Sequence, residues 1–78
     1  MMKAYVLINV RTGGIEEVVR HLRRLEGITE AYMTFGPYDA VAVAHAADAV
    51  ALGKLLSAGI QPIPGVLETL TCLAVEEI

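Results

Sequence analysis

A second cysteine is missing from this chain: Cys72 stands alone, so no disulfide can close within it. Histidine is scarce as well, and His21 and His45, far apart and joined by one cysteine, lack the ligand spacing of a four-ligand zinc site. Charged residues make up only 19% of the sequence against 55% apolar, more apolar surface than a lone domain of 78 residues can hide. A chain this short buries about two thirds of its unfolded surface. With disulfide and metal set aside, the missing burial is expected from a partner subunit, and composition predicts an oligomer.

Long apolar runs are absent too. Ala4 to Ile8, the longest near the N-terminus, is far too short to span a membrane and lacks the small-residue cleavage site that follows a signal-peptide core. These absences predict a soluble, cytoplasmic protein with no membrane partner. Positive charge is not in excess either. A net charge of -3 and a pI near 5.2 do not favour counterion release from DNA or RNA, so direct nucleic-acid binding is not expected. No repeat, linker or low-complexity segment interrupts the sequence, and residues 1–78 read as a single domain.

What is present has clear periodicity. Residues 3 to 10, KAYVLINV, are rich in branched and aromatic side chains and end at the turn cluster Arg11-Thr12-Gly13-Gly14, which predicts a strand. Ile15, Val18, Val19, Leu22 and Leu25 then fall on one stripe of a helix that Gly27 ends. On its outer face Glu16 with Arg20, and Glu17 with His21, are spaced to pair. Residues 28 to 35 and 39 to 45 predict two strands of a hairpin turned by Gly36-Pro37-Tyr38-Asp39. Asp48 is placed to cap a second helix, with Val50 or Ala51, Leu52, Leu55, Leu56 and Ile60 on a weaker stripe and Lys54 as its only charge. The two prolines of QPIPGV stop that helix before a last strand, VLETLTCLAVEE, in which Thr69 and Thr71 alternate with Leu70 and Cys72.

The order β-α-β-β-α-β predicts an α+β, ferredoxin-like fold, a four-stranded antiparallel sheet with two helices on one face. Two helices cover one face only. A sheet solvated on the other should alternate apolar with polar residues, yet Ala4, Val6, Ile8 and Val10 alternate with Tyr5, Leu7 and Asn9, and residues 40 to 44 are all alanine or valine. The simplest cover for the second face is the same face of a second copy across a two-fold axis.

Chemistry-bearing groups are few. The adjacent carboxylates Glu16-Glu17 and Glu76-Glu77 point in different directions and read as solvated charge. His45 near Asp48 reads as a structural or surface histidine, and Cys72, without a CxxC partner, as a small core side chain. The Arg11-Gly14 turn before a helix has no P-loop lysine and is not GxGxxG, so it reads as a turn. The arginines at 20, 23 and 24 are balanced by Glu16, Glu17 and Glu26. No nucleophile-base pair, metal cluster or cofactor fingerprint emerges, which favours a binding module without a cofactor over an enzyme.

Two pieces then stand out together: Gly36, Pro37, Tyr38 and Asp39 before the third strand, and Pro64-Gly65-Val66 leading to Thr69 and Thr71 in the last. On this frame the pair resembles the effector-binding domain of the Lrp/AsnC, or feast/famine, transcriptional regulators, also called the regulation-of-amino-acid-metabolism domain, over nearly the whole chain. In that family a glycine, two variable residues and an aspartate join the second and third strands, and a Pro-Gly-Val precedes two threonines. Pro37 departs from it, standing where an acidic residue is frequent. The resemblance implies a stand-alone effector domain without its own helix-turn-helix, dimers formed by back-to-back sheets as a dimeric α+β barrel, and rings of dimers. It also implies a small effector, an amino acid, bound between dimers by Gly36, Pro37, Tyr38, Asp39, Thr69 and Thr71. In such a site loop amides hold a carboxylate, Asp39 pairs with an ammonium and Tyr38 walls the pocket.

Other classes share the frame. A small dimeric α+β barrel enzyme, of monooxygenase or isomerase type, needs a polar cleft between sheet and helices with His45 or Tyr32 at its centre, where the strands offer mainly alanine and valine. An interaction-only subunit that mixes with full-length Lrp/AsnC-type regulators is a third reading. The ACT domain has the same strand order but is less well matched by the Gly36/Asp39 and Gly65/Thr69/Thr71 pairings.

Overall fold

The computed structural model describes residues 1–75, so the carboxylates of Glu76 and Glu77 lie outside the described residues. Strand β1 (Met2–Val10) is followed by α1 (Ile15–Arg24), β2 (Ile28–Met33), β3 (Ala40–Ala46), α2 (Ala49–Lys54), a π-helical continuation (Leu55–Ile60) and β4 (Val66–Leu73). The sheet is four-stranded in the order β2-β3-β1-β4, and every pair is antiparallel. This is the expected β-α-β-β-α-β layout.

Register explains which face is which. On the helix side, Ala31, Ala42, Val6 and Thr71 make one row across the strands, and Met33, Ala40, Ile8 and Thr69 the next. The β3 alanines 40, 42 and 44 are fully buried, because only a methyl fits where the helices press on the sheet. Val18, Val19 and Leu22 of α1, with Leu52 and Ile60 from the second helical segment, close one core against Ala4, Val6 and Ile8.

The opposite face keeps its own rows. Tyr32, Val41, Leu7 and Leu70 cross all four strands, and Glu30, Val43, Tyr5 and Cys72 run beside them. No helix covers these residues, and Tyr5, Tyr32 and Leu70 remain between 41% and 50% exposed. Cys72 is exposed on this face, so its reading as a core side chain is corrected: it shares a row with Tyr5, not with Val6.

Local signals account for most boundaries. Gly13, at φ +86, lets the turn close with a 2.9 Å bond from the Gly14 amide to the Arg11 carbonyl. Asp48 caps α2, its carboxylate accepting from the Ala51 amide at 2.8 Å. Arg20 takes both Glu16 and Glu17, so the expected Glu17–His21 pair is not made: a forked guanidinium reaches carboxylates three and four residues back. The second helix was expected through Gly59, but its last turn widens, with the Gln61 amide donating to the Leu56 carbonyl five residues back. Strand β2 stops at Met33, two residues short of expectation, and β4 ends at Leu73.

Candidate functional site

The hairpin between β2 and β3 is held by four hydrogen bonds. The Thr34 amide donates to the Asp39 carbonyl at 3.0 Å, and the Thr34 hydroxyl to the Tyr38 carbonyl at 2.8 Å, closing the loop on itself. Asp39 then ties the loop to β1. Its amide donates to the Ile8 carbonyl at 2.9 Å, and its carboxylate accepts from the Val10 amide at 2.7 Å. The carboxylate bond reaches across strands, beyond the nearby hairpin amides that a simple cap would use.

Gly36 sits at φ +143, a backbone region open to glycine, and Pro37 beside it is exposed. Tyr38 and Asp39 are half-buried. Phe35 projects fully into solvent immediately before the glycine. Sequence reasoning placed Phe35 in β2 and gave Thr34 no role. The visible signal was a threonine five residues before an aspartate, spaced to bracket a four-residue turn.

Thr69 and Thr71 lie beyond β1 from this loop, paired with Ile8 and Val6. They project on the helix side of an edge strand over which neither helix packs extensively, and both are half-buried. Asp39 and the threonines therefore flank one strand, β1, from opposite sides. Four surface clefts of about 290 to 450 Å³ lie elsewhere, and none of the four is lined by Gly36, Pro37, Tyr38, Asp39, Thr69 or Thr71.

The alternative catalytic candidates are dispersed. Tyr32 stands on the uncovered face and donates to the Glu30 carboxylate at 2.8 Å, which raises its pKa above the usual tyrosine value. His45 pairs with Lys3 at the far end of β3 from the Asp39 loop. Every buried side chain among the described residues is apolar, so no polar cleft separates sheet from helices there.

A ferredoxin-like sheet with an apolar interior, an uncovered apolar face and a hairpin braced against its central strand defines a small α+β module whose polar chemistry lies at its surface. The Lrp/AsnC ligand binding domain matches residues 3–78, and the chain belongs to that family. It is 39% identical over 57 residues to the HTH-type transcriptional regulator Ptr1 of Methanocaldococcus jannaschii, covering 73% of this chain but 38% of Ptr1. The matched stretch thus spans well under two thirds of that relative's length. The crystal structure of TTHA0845 from Thermus thermophilus superposes with a TM-score of 0.95 at 32% identity, covering 100% of this chain and 98% of the other. The transcriptional regulator NMB0573 of Neisseria meningitidis, solved as an L-Met complex, shares the fold at 16% identity, with a TM-score of 0.88 over 99% of this chain and 51% of that one.

Proposed function

We propose that this chain is a single effector-binding domain, residues 1–78, that binds a small effector, an amino acid, where two dimers meet and so modulates transcription or amino-acid metabolism indirectly. The observation that carries this reading is the braced Gly36–Asp39 loop, facing solvent on one side of β1 while Thr69 and Thr71 occupy an open strand edge on the other. A ligand that contacts both sets needs a second copy to complete its pocket. The exposed rows through Leu7 and Tyr5 supply the apolar face for the dimer, and Phe35 supplies a contact at the loop. The L-Met complex of the Neisseria regulator supports an amino acid as the class of effector.

A thermal-shift screen of the twenty amino acids tests the proposal, because a ligand that binds only the folded state raises Tm by mass action. The expected result is a concentration-dependent rise with one or a few of them, together with sedimentation as a dimer or a multiple of dimers. A folded monomer with no response to any amino acid would overturn it. Mixing with a full-length regulator of the family is a second mode of action, read by co-purification with a helix-turn-helix paralogue.

A further inference from the structure

One cleft stands apart from the loop and the threonines. Along α1, Gly14, Glu17, His21 and Arg24 recur at spacings of three, four and three, which puts them on one helix face. That face, Arg11 from the turn after β1, and Ile63 with Pro64 from the segment before β4 enclose a cleft of about 400 Å³, within the size range of small-molecule sites.

Its walls are fixed. The Arg11 amide donates to the Gly65 carbonyl at 2.7 Å, joining the turn to the proline segment, and the Gly14 amide closes the turn at 2.9 Å. Ile63 is buried, and its amide donates to the Ile60 carbonyl at 3.1 Å.

Its charge runs against that of the whole protein. In a chain of net charge -3, the cleft gathers two guanidinium groups, Arg11 and Arg24, and the imidazole of His21. Glu17 is the one carboxylate in the lining, and Arg20, on the next face of the helix, already holds it. The ion pairs among the described residues leave the guanidinium groups of Arg11 and Arg24 unengaged. Two planar forks and an imidazole offer more N–H donors than a single carboxylate accepts, whereas a phosphate group presents three terminal oxygens in matching geometry.

We propose that this cleft binds the phosphate group of a small phosphorylated molecule, at a site separate from the amino-acid effector site and not dependent on it. The two guanidinium groups engage the oxygens, and the pinned turn fixes the backbone from which Arg11 projects.

The test is a titration of the intact chain with inorganic phosphate at constant ionic strength, followed through backbone amide resonances. Saturable shifts are expected at Arg11, Gly14, Ile15, Ile63 and Gly65, with the amides of Gly36, Tyr38 and Asp39 unmoved. The variant R11Q/R24Q, altered at two exposed positions, should keep the spectrum of a folded chain and weaken binding about tenfold or more. Shifts that fail to saturate, that spread evenly over the surface, or that persist unchanged in R11Q/R24Q would overturn the proposal. An amino acid that still moves the Gly36–Asp39 amides in such a case leaves the effector reading intact, so the two fail separately.

Discussion

Asp39 and Val10, 29 residues apart in sequence, are joined by a 2.7 Å hydrogen bond from the Val10 amide to the Asp39 carboxylate. With the 2.9 Å bond from the Asp39 amide to Ile8, it fastens the hairpin to β1, one of the two inner strands of the sheet. A ligand-binding role for Asp39 has to coexist with this bond.

Replacing Asp39 with Ala leaves the partly buried Val10 amide without its acceptor and should lower stability by about 1–3 kcal/mol in urea unfolding. Asp39→Asn keeps an acceptor oxygen and should cost less. If Asp39 also meets an effector ammonium, the Asn variant loses ligand affinity while keeping most of the stability. Calorimetry on both variants reads the difference, and an unchanged affinity removes Asp39 from the binding site.

Neighbouring residues of β1 separate folding from assembly. Val6 is fully buried on the helix side, so Val6→Asp should abolish the folded state, at a cost of about 4 kcal/mol or more. Leu7 belongs to the uncovered row, and Leu7→Asp should leave the circular dichroism spectrum of a folded chain that sediments as a monomer. A dimer formed equally by the unaltered chain and by Leu7→Asp would exclude this face from the proposed assembly.

Gly27 and Gly53 should respond oppositely to alanine. Gly27 has φ +97, and a methyl there meets the His45 carbonyl and a Leu55 methyl at 3.1 Å, so Gly27→Ala should destabilise by about 1–2 kcal/mol. Gly53 is an exposed α2 position with open space around it, and Gly53→Ala should stabilise by about 0.5–1 kcal/mol. Thermal melts of the two variants provide the comparison.

Tyr32 supplies a spectroscopic reporter. Its bond to the Glu30 carboxylate raises its pKa, so the phenol should ionise at a higher pH than a free tyrosine. Any stability linked to this bond is complete below the unfolded tyrosine pKa and is lost as pH rises through the raised folded value. Ultraviolet titration should show the Tyr32 ionisation move to lower pH in Glu30→Gln. An unchanged titration in that variant would mean the bond does not form in solution.

Element order was legible in the sequence because the apolar period changes from two to 3.6 at Ile15 and because Gly and Pro mark the turns. The sidedness of β1 was not. Val6 and Leu7 are both apolar, and only the docking of Val18 and Leu22 decides that the even-numbered residues face the helices. Cys72 was misplaced for a related reason: on β4 the threonines take the helix side and the large apolar residue Leu70 faces outward, an inversion of the usual pattern. The Asp39–Val10 bond depends on β3 lying beside β1, which no local pattern encodes. The widened turn after Lys54 left no mark beyond the glycines at 53 and 59.

The three fully buried alanines of β3 have a mechanical consequence. Where β3 meets the helices it offers only methyl groups, so the layers approach closely there and a larger side chain at these three positions would wedge them apart. Close packing of this kind favours a stiff plate. Under the proposed function, a signal received at its edge would be passed on by tilting the plate against neighbouring copies, and variants that uncouple binding from response are then to be sought at those contacts, not in the seam.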